Sequence, residues 1–291
     1  MSNLTLKPQD DIHYATLVRP QGSPLPELYH FFMDWRTPLI FASVYALSVT
    51  FINSRMPSRK APAVADKKSS SASPANASSK SSSFFTSIVF LHNIALCIFS
   101  IAVCKGMQQG IVESYKHYQG NVRDWFCDAD SYLFDRAENS LGYWGYIFYL
   151  SKFYEVIDTV IILLKGRRSS LLQTYHHTGA ILCMWAATNY MAIPVWSFVQ
   201  INSFIHSVMY FYFALTAIGI RPPGKKYITT LQITQFFFGM SVALTSLWLP
   251  GCINGRAARL ATWLNVIYLV PLIHLFFDFA RRSYGSKMKR N

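Results

Sequence analysis

Seven stretches of this chain are apolar for long enough to cross a bilayer, or nearly so, and that leaves few folds open to it. One helical crossing takes about 20 mostly apolar residues. The runs 37–54, 84–104, 143–164, 171–192, 195–218, 226–250 and 257–280 meet or approach that length. The expected fold is therefore all-α: a polytopic membrane protein whose seven transmembrane helices form a bundle. Composition agrees, because only 14% of the 291 residues are charged while 52% are hydrophobic. Soluble domains carry about 25% charge. Five cysteines without a C-x-x-C pair exclude the common zinc ribbons and a small disulfide scaffold.

The parts between the spans organise the chain. Residues 1–36 read as a luminal N-terminal segment and 37–54 as the first transmembrane helix. Residues 55–83 are rich in Ser, Ala and Lys with Pro57, Pro62 and Pro74, so they cannot bury enough apolar area to fold and read as a flexible cytosolic loop. Residues 84–280 read as a six-helix membrane bundle, and 281–291 as a basic cytosolic tail. No cleavable signal peptide is evident in the polar, mixed-charge start.

The formal net charge of +13 orients the bundle. Seven spans put the termini on opposite sides, and most Lys and Arg fall in 55–83, 165–170, 219–226 and the tail. By the positive-inside rule these face the cytosol, placing the N-terminus in the lumen. A nucleic-acid surface does not fit, since these charges sit in short loops between apolar spans. Asn3-Leu4-Thr5 is a glycosylation sequon on the luminal side; Asn76-Ala77-Ser78, on the cytosolic side, should stay unmodified. Lys287 and Lys289 resemble a dilysine retrieval signal, which makes the endoplasmic reticulum membrane the expected location. Cys127 and Cys252 fall in loops predicted to be luminal, where oxidation is permitted, whereas Cys97, Cys104 and Cys183 fall in spans. A Cys127–Cys252 disulfide is expected.

Ionisable groups at bilayer depth are costly and are mostly paired or functional. Four consecutive spans carry polar residues at helical spacing. They are Lys152, Glu155, Asp158 and Thr159; then Gln173, His176 and His177; then Asn202, His206, Met209, Tyr210 and Tyr212; then Thr229, Gln232 and Gln235. Bland readings exist: a salt-bridge cluster that only lets the helix insert, a packing histidine, an ordinary Met and Tyr core, or amides that glue helices together. Yet four such stripes cannot all face lipid. They predict a shared polar chamber biased toward the cytosolic half, suited to an amphipathic molecule whose head arrives from the cytosol.

In this order the stripes resemble the signature of the ELO family of very-long-chain fatty-acid elongases. Lys152-x-x-Glu155-x-x-Asp158-Thr159 resembles K-x-x-E-x-x-D-T, and Gln173-x-x-His176-His177 resembles the histidine box H-x-x-H-H in a Q-x-x-H-H variant. Asn202-x-x-x-His206-x-x-Met209-Tyr210-x-Tyr212 and Thr229-x-x-Gln232-x-x-Gln235 resemble the two remaining motifs. The resemblance implies a bundle around an acyl tunnel and a 3-oxoacyl-CoA synthase. Such an enzyme condenses long-chain acyl-CoA with malonyl-CoA to 3-oxoacyl-CoA, CoA and carbon dioxide. Gln at the first box position recurs in a subset that includes polyunsaturated-acyl elongases.

The roles that follow are expectations. His176 or His206 is the nucleophile that forms an acyl-imidazole, the other assisting as acid/base or in decarboxylation. His177 and Gln173 orient the nucleophile or the thioester oxygen, while Lys152, Glu155 and Asp158 set the electrostatics. Asn202, Met209, Tyr210, Tyr212, Thr229, Gln232 and Gln235 bind substrate. No metal and no cofactor are expected beyond the two CoA substrates. Expected partners are membrane lipid and the 3-ketoacyl-CoA reductase, 3-hydroxyacyl-CoA dehydratase and enoyl-CoA reductase of the cycle. A homodimer is allowed and nucleic acid is not expected. Two other readings compete: a di-iron membrane desaturase or hydroxylase, which needs many ligands from a chain with eight histidines, and a non-enzymatic seven-helix transporter or receptor.

Overall fold

The computed structural model describes residues 19–57, 79–135, 140–253 and 255–284. Among them every regular element is helical. The long helices are α1 (Arg36–Arg55), α2 (Ser79–His117), α3 (Leu141–Glu155), α4 (Ile157–Leu164), α5 (Leu171–Asn189), α6 (Val195–Ala217), α7 (Lys225–Trp248) and α8 (Arg256–Tyr284). Short helices lie at Pro26–Leu28, Tyr29–Met33, Val122–Cys127 and Tyr132–Asp135.

Five of these helices, α1, α2, α6, α7 and α8, are long and apolar enough to cross a membrane. Their outward faces carry exposed Leu47, Phe51, Ile98, Phe211, Phe237 and Ile267, a surface that water would not tolerate unpartnered. The protein is therefore a multi-pass membrane protein. The other two predicted spans differ from a simple apolar rod. The run 143–164 is broken at Val156, where the N–H groups of Thr159 and Val160 share the Val156 carbonyl (3.0 and 3.3 Å). Helix α5 opens with the polar turn Gln173-Thr174-Tyr175-His176-His177, which dilutes its apolar character.

Packing closes the helices into a ring. Helix α2 lies along α6, α6 along α7, α7 along α8, α8 along α5, α5 along α3, and α3 returns to α2. Helix α1 packs outside the ring against α5. The chain before α1 is not a free arm where it is described. Tyr29 and Met33 are buried, the Tyr149 hydroxyl donates to the Phe32 carbonyl (2.8 Å), and Trp185 Nε1 donates to the Met33 carbonyl (2.9 Å).

Several boundaries shift from the sequence expectation. Helix α2 begins at Ser79, inside the stretch read as loop, and runs on past residue 104 to His117. Its 39 residues span roughly 58 Å, well beyond one hydrocarbon core. Helix α8 continues through Arg281 and Arg282 to Tyr284, into the stretch expected as tail. Cys127 and Cys252 are joined by a disulfide that ties the Val122–Cys127 helix to the loop between α7 and α8. Beside it Arg123 donates to the Pro250 carbonyl (2.8 Å). Asn3, Asn76, Lys287 and Lys289 lie outside the described residues.

Candidate active site

Two caps set the register of the helices that carry the site. Ser140 accepts the Tyr143 N–H (3.0 Å) at the start of α3, and Ser170 accepts the Gln173 N–H (3.1 Å) at the start of α5. Each satisfies one of the orphan donors of a helix N-terminus. In α5 this places Gln173, His176 and His177 on the first two turns, facing the ring interior.

A cavity of about 600 Å³ runs through that interior. Glu155, Asp158, Gln173, His176, His177, Asn202, His206, Met209, Tyr210, Tyr212, Thr229, Gln232 and Gln235 all line it. Five helices and the break at Val156 therefore deliver the four sequence stripes to one chamber. Lys152 does not line it. It is buried behind Glu155, with Nζ 2.6 Å from Glu155 Oε1 and 3.7 Å from the Phe148 ring centroid. Glu155 Oε1 also accepts from the Ser151 hydroxyl (2.9 Å), while Glu155 Oε2 is buried without a hydrogen bond.

The expected cluster of one cation and two anions is thus divided. Asp158 turns away from the Lys152–Glu155 pair, because the tight turn at Val156 interrupts the helical register. Its Oδ1 accepts from His92 Nε2 (2.8 Å) and its Oδ2 from the Tyr210 hydroxyl (2.8 Å). A carboxylate only accepts, so His92 carries its proton on Nε2. His92 Nδ1 lies 3.2 Å from the Tyr154 hydroxyl.

The adjacent histidines have separate partners. The Gln173 amide donates to His177 Nε2 (2.8 Å) and reaches Thr159 Oγ1 (3.4 Å), which pairs with the Tyr45 hydroxyl (2.7 Å). Gln173 therefore orients His177 rather than His176. His176 Nδ1 lies 3.2 Å from the Tyr268 hydroxyl on α8. His206 is 5% exposed and meets Tyr210 edge to face (5.4 Å). Amides cross the far wall: Asn202 Nδ2 to Gln235 Oε1 (3.5 Å) and Gln232 Nε2 to Met209 Sδ (3.2 Å). Thr229 pairs with the Tyr284 hydroxyl (3.1 Å).

At one end the cavity wall includes Lys165, Arg167 and Arg168 after α4 and Lys225 at the start of α7. Four cations here form a mouth suited to an anionic head, with guanidinium groups that match phosphate oxygens. The same wall carries apolar side chains, among them Ile161, Leu172, Phe213, Phe236 and Phe276. Among the described residues no group of three or more His, Cys, Asp or Glu is gathered as a metal site.

Sequence reasoning missed His92, Tyr268, this basic mouth and Asn93, which lines the cavity beside Val89, as parts of the site. His92 and Asn93 were open to the same argument as the stripes, being polar residues inside the apolar run 84–104. Tyr268 gave no signal, since one tyrosine among 17 in an aromatic-rich chain has nothing to mark it.

Residues 30–291 match the family model for the ELO, GNS1/SUR4 family. The chain is 33% identical over 207 residues to "Fatty acid elongase sre1" of Dictyostelium discoideum, covering 69% of this chain and 73% of that one. It is 37% identical over 205 residues to "Fatty acid elongase A" of the same organism, covering 67% and 71%. With "Very long chain fatty acid elongase 6" of Homo sapiens it shares 30% identity over 203 residues, covering 69% and 74%. With the match to the family model extending from the short helices before α1 through the whole ring, the chain belongs to the ELO (GNS1/SUR4) family.

Proposed function

We infer that this protein is a membrane fatty-acid elongase, the 3-oxoacyl-CoA synthase that condenses acyl-CoA with malonyl-CoA. The observation that carries the reading is the placement of His176 and His206 on one cavity whose wall also holds four cations and a set of apolar side chains. The apolar side chains accept an acyl chain, and the cations accept the phosphates of CoA.

The proposed reaction has two steps. His176 Nε2 attacks the thioester carbon, an N–C bond forms, the C–S bond breaks, and CoA leaves as thiolate. His206 supplies a proton to that thiolate. Malonyl-CoA then enters and loses carbon dioxide, and its carbanion attacks the acyl carbon. The N–C bond breaks, 3-oxoacyl-CoA forms, and His176 is restored. The net reaction consumes one proton, which comes from solvent and restores His206. Gln173 and His177 shape the thioester side of the chamber. Asn202, Tyr210, Tyr212, Thr229, Gln232, Gln235 and Met209 line the path of the CoA arm and the developing enolate, where fixed dipoles lower the barrier. The Lys152–Glu155 pair and Asp158 hold the field and the helix break. The residues present need no metal or organic cofactor for this chemistry.

Seven crossings complete the topology, with α3–α4 and α5 spanning beside the five apolar helices. The N-terminus is then luminal and the basic end cytosolic, in the endoplasmic reticulum membrane. The ring from α2 to α8 is the catalytic unit and its cavity the acyl tunnel. The Q-x-x-H-H box is shared with a family subset that includes polyunsaturated-acyl elongases, so polyunsaturated acyl-CoA belongs among the substrates to be tried. The product calls for a reductase, a dehydratase and a second reductase working on CoA esters in the same membrane. Membranes of a host expressing the protein should consume malonyl-CoA in the presence of acyl-CoA and yield acyl chains two carbons longer, and the His176→Ala protein should not. Equal consumption by both would remove His176 from the chemistry. For topology, a glycan removed by Asn3→Gln fits the orientation, and one removed by Asn76→Gln reverses it.

A further inference from the structure

We propose that Tyr268 is the positioning residue that fixes the tautomer of His176, holding its proton on Nδ1 and leaving Nε2 as the free lone pair. The proposal rests on the reading of His176 as nucleophile, and it follows from counting protons. The Tyr268 hydroxyl has one proton, and it donates it to the backbone carbonyl of His176 at 3.0 Å. A carbonyl can only accept. The same oxygen lies 3.2 Å from His176 Nδ1, so that contact is a hydrogen bond only if Nδ1 is the donor. A neutral imidazole with its proton on Nδ1 has its lone pair on Nε2. Tyr268 thus reads both the backbone and the ring of one residue, on a helix 92 positions away in sequence.

Three features hold the phenol where it can do this. Its ring stacks on Tyr175 (centroids 5.4 Å apart, planes at 21°). The Tyr175 hydroxyl donates to the Tyr268 carbonyl (3.2 Å). Gly179, one turn beyond His176, leaves the space the ring occupies, because a Cβ there would collide with it. Tyr175, His176 and Gly179 belong to one stretch of α5, so the nucleophile and the seat of its partner are built together. Tyr268 does not line the cavity and therefore acts through His176.

The test is the tautomer itself, read on the full chain in lipid nanodiscs from isotope-labelled histidine ring nitrogens, with the His176 signals assigned by their loss in His176→Gln. The unaltered protein should show the His176 proton on Nδ1, a measurement that needs no variant at the tyrosine. In Tyr268→Phe the ring stack remains but the acceptor is gone, and the proton should move to Nε2. The release of CoA from acyl-CoA alone should then slow by about 10-fold or more, as wrong-tautomer variants do elsewhere, with KM for acyl-CoA within about three-fold. A proton on Nε2 in the unaltered chain, or on Nδ1 in Tyr268→Phe, overturns the proposal. If the unaltered chain releases no CoA from acyl-CoA alone, the nucleophile reading fails, and the tautomer signals still decide the role of Tyr268.

Discussion

Asp158 Oδ1 accepts a hydrogen bond from His92 Nε2 at 2.8 Å, across 66 residues of sequence. With Tyr210 on the other oxygen (2.8 Å), the carboxylate is bonded from α2 and α6 at once. Asp158→Asn keeps the shape but puts an amide N–H against one of these donors. Breaking one such charged bond leaves buried groups unpaired at a cost of about 1–3 kcal/mol. His92→Phe and Tyr210→Phe should each lower stability in detergent by that order, and less than additively in combination, because they share one acceptor. Additive losses would show that the three side chains do not form one network.

Lys152 and Glu155 are 3% and 2% exposed, and their charges face each other at 2.6 Å. Lys152→Met strands a buried carboxylate, which should cost about 3–5 kcal/mol, whereas the double variant Lys152→Met, Glu155→Met should recover most of that loss. Condensing activity should stay low in the double variant, since the carboxylate at the chamber wall is gone. Recovery of both stability and activity would reduce the pair to a helix-insertion device.

Arg167 is exposed at the basic mouth, while the neighbouring Arg168 Nη2 donates to the Met56 carbonyl at the end of α1. Arg167→Ala should therefore weaken CoA binding without disturbing the ring. KM for acyl-CoA and for malonyl-CoA should rise by several-fold, kcat should hold, and the difference should shrink as salt screens the mouth. A fall in kcat at unchanged KM would place the CoA phosphates elsewhere.

The Cys127–Cys252 bond spans 125 residues of sequence, and neither cysteine lines the cavity. Replacing both by Ser should cost about 2–4 kcal/mol of stability while leaving activity per folded molecule unchanged. Mass spectrometry of unreduced peptides should recover the two cysteines linked. Free thiols at both positions in freshly isolated protein would contradict the bond.

What the sequence made legible was the set of residues that had to leave the lipid. His176, His206, Gln232 and the others stand out because polar side chains in apolar runs have few explanations, and a shared cavity satisfies them together. The break at Val156 left no such mark, since a single tight turn changes register without changing composition. The extension of α2 to His117 was hidden for a related reason. Lys105, Gln108 and Glu113 end the apolar run, but a helix leaving the membrane can continue with one face buried, as Met107 and Ser114 are. Tyr268 lay beyond reach because its meaning depends on a contact between α5 and α8 that spacing does not encode.

The account turns on whether His176 carries the acyl group. Purified protein given acyl-CoA without malonyl-CoA should release about one CoA per chain, as a covalent intermediate requires. The peptide containing His176 should then be heavier by the acyl mass, and adding malonyl-CoA should clear the adduct as 3-oxoacyl-CoA appears. CoA release that waits for malonyl-CoA, with no adduct trapped on that peptide, would contradict the covalent step and leave direct attack within a ternary complex.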